Sequence, residues 1–241
     1  SDNNYNPLTY DYEDVGGTDD FSRLFVKKPM RTHSGQCRYL PVYYKILAVA
    51  IGAEAYIAFA PQHLFIRHRD EMERNKWVNV ELTTQSLSRE IFYIENFGIS
   101  DAAIRNKVYL NQLTDKETVA YLLSELATGY LRKYDDYDDL MWLCANKSLE
   151  HYPQNITALH QKGNIINVRF MEYLAANGGV YDDYARLLDD KWKENFELVK
   201  ELGWTEMSDD IYEKLLQDTE NAMEADKLEE SKITSENEKK R

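Results

Sequence analysis

The chain has 241 residues, 43% of them apolar and 12% aromatic, enough to bury a core in one large domain or two small ones. Its 42 acidic residues outnumber 29 basic ones for a net charge of −13, and with no basic patch of any length this excludes a phosphate-binding surface for nucleic acid. No apolar run reaches the ~18 residues of a membrane span. Two cysteines make no disulfide framework, and no Cys-x-x-Cys or His-Glu-x-x-His marks a metal site. No metal or cofactor is expected.

Residues 1–19 are polar and turn-rich, with Gly16-Gly17, and read as an irregular arm; "FSRLFV" at 21–26 is one short element within the next stretch. The start, Ser-Asp-Asn, resembles a trimmed leader and points to the cell envelope or secretion. Leu40, Tyr44, Leu47, Ala48 and Ile51 then recur at the spacing of one helix face, predicting a helix from about Cys37 to Ile51. Pro41 falls in its first turn, where a missing N–H is tolerated, and Gly52 is a stop. Three runs rich in β-branched and aromatic residues follow: "EAYIAFA" (54–60), "HLFIRH" (63–68) and "KWVNVELT" (76–83). Pro61 separates the first two, and the charged stretch "RDEMERN" joins the last two as a hairpin loop.

From Ser100 onward the pattern is helical. Ser100-Asp101 can cap a short helix, and Thr114 with Glu117 is a capping-box signature. Further helices are predicted at about 138–152 (ending at Pro153), 156–177 (ending at Gly178-Gly179), 182–202 and 207–226. The remaining tail, 227–241, is almost all charged or polar and is expected to fray. Gly129 and Gly163 lie 34 residues apart. Residues 127–164 carry the small, aromatic and proline positions of a tetratricopeptide-like helical hairpin, with Pro153 closing the unit. The following unit lacks the matching alanines.

Pairing the second and third strands around a turn near Met72 makes facing residue numbers sum to about 144. Arg67 then faces Trp77, Phe65 faces Asn79 and His63 faces Glu81. Side chains alternate by two, so these six share one face, and Leu64, Ile66, Val78, Val80 and Leu82 share the other, apolar one. A His–carboxylate pair follows from this register, and a slip of one residue would destroy it. His68 falls on the face opposite His63.

Cys37 sits after Gly35 at a predicted helix start, where free N–H groups and the helix dipole favour a thiolate. Alone, such a cysteine is more often a small core residue. Cys144, in "LMWLCA", reads as helix core, and a Cys37–Cys144 bridge is a further option. His151 and His160 fall at the helical-hairpin junction and read as structural. Glu81 alone would be a solvated acid or a partner for Arg67.

The order of helix-capping Cys, strand His and next-strand acid resembles the transglutaminase-like branch of the papain-like cysteine enzymes. "SGQC" (34–37), "PQHLFIRH" (61–68) and "WVNVELT" (77–83) carry the resemblance, over about residues 30–85. It implies Cys37 as nucleophile, His63 as general base and acid, and Glu81 as the group orienting the imidazole. It also implies an oxyanion hole at the Cys37 N–H, with Gln36 the nearest second donor. His33 could line the site, and Trp77 could wall an acyl pocket. The family has Asp or Asn where this chain has Glu81, and it has helices before the cysteine helix where this chain has only the arm.

The expected architecture is α+β. A papain-like, transglutaminase-like core at 20–100, a helix packed on a small antiparallel sheet, precedes a tetratricopeptide-like helical region at 101–226. The expected function is thiol-dependent amide chemistry, hydrolysis or acyl transfer, on a peptide or protein substrate. The alternative is a non-catalytic module that binds a peptide, or a protein partner on its helical region.

Overall fold

A computed structural model describes residues 8–11, 25–70, 72–73 and 76–205, with isolated positions 22, 210, 217, 221 and 224. "FSRLFV" lies largely outside these residues, as do the helix expected at 207–226 and the charged tail.

The architecture is mixed α+β. Two short strands, β1 (Thr9–Tyr10) and β2 (Ser34–Gly35), pair in parallel. Between them runs α1 (Lys27–Thr32). This pairing ties the chain start to the segment just before Cys37, through Asp11 N–H donating to Gly35 O at 2.9 Å. Helix α2 (Leu40–Ala50) follows. A four-stranded antiparallel sheet comes next, in the order β3 (Tyr56–Ala60), β4 (His63–Arg69), β5 (Trp77–Glu81), β6 (Ser86–Ser88). Then come α3 (Glu90–Phe97), α4 (Asp101–Arg105), α5 (Asp115–Tyr134), α6 (Asp139–His151), α7 (Ile156–Ala176) and α8 (Asp183–Glu201).

The sheet is covered on both faces. Ile57, Leu64 and Ile66 pack with Val42 of α2 and with Leu113, Ala120 and Tyr121 at and within α5. Ala58, Ala60 and Phe65 pack with Tyr93 and Phe97 of α3 and with Ala103 and Val108. The face that alternation assigned to the site is therefore itself buried under α3. That is why Arg67, Asn79 and Glu81 are nearly inaccessible, at 2%, 1% and 4% exposure.

The hairpin register differs from the expected one. Arg67 opposes Asn79 and Arg69 opposes Trp77, so facing numbers sum to 146. The cause is the turn. Asp70 Oδ1 accepts from the N–H groups of Met72 and Glu73, both at 2.8 Å, and Asp70 N–H donates to Lys76 O at 3.0 Å. The aspartate closes the loop one residue later than a turn centred on Met72 would. A shift of two in the sum, with side-chain period two, leaves every residue on its expected face but unpairs all three expected opposites, Arg67–Trp77, Phe65–Asn79 and His63–Glu81.

The helices from α5 on stand close to their expected bounds, because their caps are explicit. Thr114 and Glu117 form the reciprocal capping box, and Asp138, Asn155 and Asp182 each accept at an N-terminus. Buried polar groups stitch α5, α6 and α7 together. Ser148 Oγ donates to Ala120 O at 2.7 Å, and Asn155 Nδ2 donates to Ser124 Oγ at 3.0 Å. Gly129 and Gly163 are both close-approach points: a Cβ would meet the Phe25 ring at 2.5 Å and Asn195 Nδ2 at 2.8 Å respectively.

Candidate catalytic site

Cys37 lies in a turn rather than in regular helix. Tyr39 N–H donates to Gln36 O at 3.1 Å and Leu40 N–H to the same oxygen at 3.0 Å, so winding starts at Gln36. Regular α2 begins at Leu40, three residues later than the spacing predicts. The turn is pinned to α5 through one carboxylate. Tyr39 Oη donates to Glu125 Oε2 at 2.9 Å, and Arg38 Nη1 lies 3.7 Å from the same atom. Glu125 is 3% exposed, and its charge also bears on Tyr121, whose pKa is raised by burial first and by Glu125 next. Burial opposes the charge on Arg38, but Glu125 and its tyrosines outweigh it and hold the guanidinium more firmly protonated than usual. Cys37 itself is half-buried, and both cysteines are free thiols.

Glu81 holds the imidazole. His63 Nε2 donates to Glu81 Oε2 at 2.6 Å. The carboxylate accepts three more bonds: from Thr83 Oγ1 at 2.8 Å and Thr83 N–H at 3.2 Å on Oε1, and from Tyr93 Oη at 3.3 Å on Oε2. The Cys37 thiol stands near enough to the ring to act on its charge. With Nε2 engaged by the carboxylate, Nδ1 is the nitrogen left for the sulfur. The rings of Phe97 and Tyr93 lie near-parallel to the imidazole at 5.7 and 6.4 Å between centroids, fixing its plane.

The electrostatics are those of an ion pair. Burial alone would lower the His63 pKa; Glu81 and Cys37 reverse that and push it up to about 10. Burial would raise the Glu81 pKa; the imidazolium and Thr83 instead hold it below the usual carboxylate range. Burial pushes the Cys144 thiol up.

Of the residues named from sequence, Cys37, His63 and Glu81 come together. Gln36 is buried, and its carbonyl starts the turn. His33 is the left-handed C-cap of α1, and its N–H donates to Pro29 O at 3.0 Å. Trp77 does not flank the site. It pairs with Arg69 at the far end of β4 from His63, with the Arg67 and Arg69 guanidiniums over its ring at 5.2 and 4.7 Å. Arg67 pairs with Glu90 of α3 and donates to Leu110 O, not to Glu81. His68, on the opposite face from His63, lies 3.0 Å from Tyr44 Oη of α2. Cys144 is helix core.

Sequence reasoning missed Thr83, Tyr93, Phe97 and Glu125. Only Thr83, two residues after Glu81 on the same strand run, carried a local signal. The others arrive through tertiary packing. It also missed the cleft beside His63, a cavity of about 180 Å³ walled by Phe59, Tyr109, Tyr121, Tyr152 and Trp204. His160 is part of that wall, with its ring 4.5 Å from that of Trp204.

No protein-family model, curated protein or solved structure matches this chain. Among the described residues, no helix is long and apolar enough to cross a membrane, and no group of three or more His, Cys, Asp or Glu side chains could hold a metal ion.

Proposed function

We propose that the protein performs thiol-dependent amide chemistry on a peptide or protein substrate, with Cys37 as nucleophile, His63 as proton carrier and Glu81 as the group that orients and charges the imidazole. One observation carries this reading: Glu81 Oε2 holds His63 Nε2 at 2.6 Å, and the Cys37 thiol stands near enough to act on the same imidazole. A nucleophile, a base in hydrogen-bond reach and a third group fixing the base are what thiol catalysis requires. The chain order of these residues supports kinship with the transglutaminase-like cysteine enzymes. The α5–α6 hairpin supports a tetratricopeptide-like element beside that core, with a surface for a protein partner.

The chemistry runs as acyl transfer through a thioester. In this reading the proton of the Cys37 thiol passes to His63 Nδ1, and the sulfur attacks the substrate carbonyl carbon. The carbonyl π pair moves to oxygen, which the Cys37 N–H can meet; that amide donates no hydrogen bond among the described residues. Collapse of the tetrahedral adduct breaks the C–N bond, and the imidazolium delivers its proton to the departing amine. Water, or an amine in the transfer case, then attacks the thioester as His63 takes its proton. Cys37 leaves as thiolate beside the restored imidazolium.

Labelling with iodoacetamide at pH 6, read by mass spectrometry of each cysteine, tests the reading. Most thiols are protonated and slow at that pH. Cys37 is expected to react about tenfold faster than Cys144 or more, and His63→Gln to slow the labelling of Cys37 itself by about tenfold. Slow, equal labelling of both cysteines would overturn the catalytic reading and favour a binding module.

A further inference from the structure

We propose that the cleft beside His63 is a specificity pocket for one bulky apolar side chain, preferentially aromatic, flanking the amide that Cys37 attacks, and that the helical half of the chain builds it. This deepens the function proposed above and rests on it.

The location follows from chain neighbours. His63 lines the cleft, and so does Arg38, the residue after Cys37. A carbonyl placed at the sulfur therefore lies at the cleft's edge, and a side chain one or two bonds away along the peptide has the cleft to enter.

The size selects the occupant. About 180 Å³ is too small for a cofactor or a folded segment, which take clefts of roughly 300 Å³ and more. An apolar cavity of about 150 Å³ holds a benzene ring. The lining selects its chemistry. Phe59, Tyr109, Tyr121, Tyr152 and Trp204 bring five aromatic residues to the lining from five separate segments. Aromatic pairs gain energy in offset or edge-to-face geometry beyond simple burial. The one acid at the wall, Glu125, is engaged by Tyr39 and Arg38, so it is not available to a cationic side chain.

Trp204 reaches the cleft only because the chain turns back after α8. Ser100 Oγ donates to Gly203 O at 2.9 Å and Asn106 Nδ2 to Glu201 O at 2.8 Å, docking the end of α8 on α4. The α6–α7 connection supplies Tyr152, and α7 supplies Ile156, Thr157 and His160. The helical half thus closes the substrate side of the site.

Dipeptidyl fluoromethyl ketones that carry Phe, Leu, Gly or Asp at either position, with alanine at the other, test this on the full chain. Each rate of Cys37 modification is divided by the same protein's rate with iodoacetamide. The Phe reagent is expected to exceed the Gly and Asp reagents by about tenfold or more at one of the two positions. Thr157→Trp, which fills the cleft, is expected to bring the Phe ratio down to the Gly ratio. Uniform ratios across the series, with iodoacetamide still selective for Cys37 over Cys144, overturn the pocket and leave the thiol chemistry standing. Loss of iodoacetamide selectivity overturns the thiol chemistry and this inference with it.

Discussion

His63 and Glu81 meet on a diagonal of the β4–β5 ladder, not across a rung. Continuing the observed register from Ile66–Val80, Glu81 stands opposite Phe65, and His63 lies two residues further along. Diagonal neighbours are about 7–8 Å apart at Cα, a span that long side chains cross. The glutamate's additional methylene makes the 2.6 Å contact reachable.

Glu81→Asp tests that argument with a change of one methylene and none of charge. The shortened carboxylate should fall out of reach of Nε2, leaving the imidazole free to rotate. Acylation of Cys37 by p-nitrophenyl acetate should fall about 100-fold, the usual cost of misplacing a catalytic group by an ångström. The His63 midpoint, followed by NMR, should move down toward the ordinary histidine value. An unchanged midpoint would mean that the diagonal is not what demands glutamate.

The same pair sets a pH dependence of stability. The folded pKa of His63, about 10, lies above the ordinary 6.5, so the folded state binds this proton more tightly than the unfolded chain. Its contribution is complete below pH 6.5 and is lost as pH rises toward 10. Glu81 is depressed below 4.5, so its contribution is present above that value and lost on acidification. Between the two lies the plateau. Removing one partner of a buried pair costs about 3–5 kcal/mol, so Glu81→Ala should lose that much near pH 6. The gap to wild type should narrow as pH approaches 10. Urea unfolding at pH 6, 8 and 10 measures it, and a gap that stays constant would sink the ion-pair assignment.

The site was partly legible because its three principal residues sit at ends of elements that local patterns define. Cys37 follows a glycine before a 3.6-period run, and His63 and Glu81 sit on alternating strands. The rest depends on contacts that no local pattern encodes. Asp70 recruits Met72 and Glu73 to its side chain and shifts the register, a choice made by turn chemistry rather than by strand content. Helix α3 escaped notice because its N-cap, Arg89, makes no side-chain cap, and its apolar residues serve the imidazole as well as the core. Helix α1 has Pro29 as its third residue and no acid in its first turn, and β6 is only Ser-Leu-Ser. The cleft draws on segments more than a hundred residues apart, from Arg38 to Trp204, so only the folded chain displays it.

Arg67 is the anchor for α3. Its guanidinium joins Glu90 to Leu110 O from a position 2% exposed on β4. Arg67→Met keeps the stem's packing and removes the donors. Glu90 is half-exposed and can turn to water, but the Leu110 carbonyl loses its partner. The expected loss is about 1–3 kcal/mol in urea unfolding. Because Tyr93 and Phe97 ride on the same helix and flank the His63 ring, labelling of Cys37 should slow as well. A stability loss with no change in labelling would separate α3 packing from imidazole orientation.

Gly203 carries the wall of the cleft, and its replacement should show at both levels. Its φ is +84°, where an L side chain is strained, and a Cβ there would meet Ala103 N at 2.5 Å and Ala102 Cβ at 2.7 Å. One of those atoms belongs to the backbone of α4, which cannot yield as a flexible side-chain tip would. Gly203→Ala must therefore either shift α4 or lift the end of α8, and lifting α8 moves Trp204 off His160. The expected cost is about 2–4 kcal/mol from positive-φ strain and overpacking together. Gly52 gives the control: its φ is +73° but nothing lies within 4 Å of its Cβ position, so Gly52→Ala meets the strain without the clash. If the two variants lose equal stability, the close approach at α4 contributes nothing. If Gly203→Ala loses more, and its preference for the Phe fluoromethyl ketone collapses while that of Gly52→Ala persists, the docking of α8 on α4 is what holds the pocket closed.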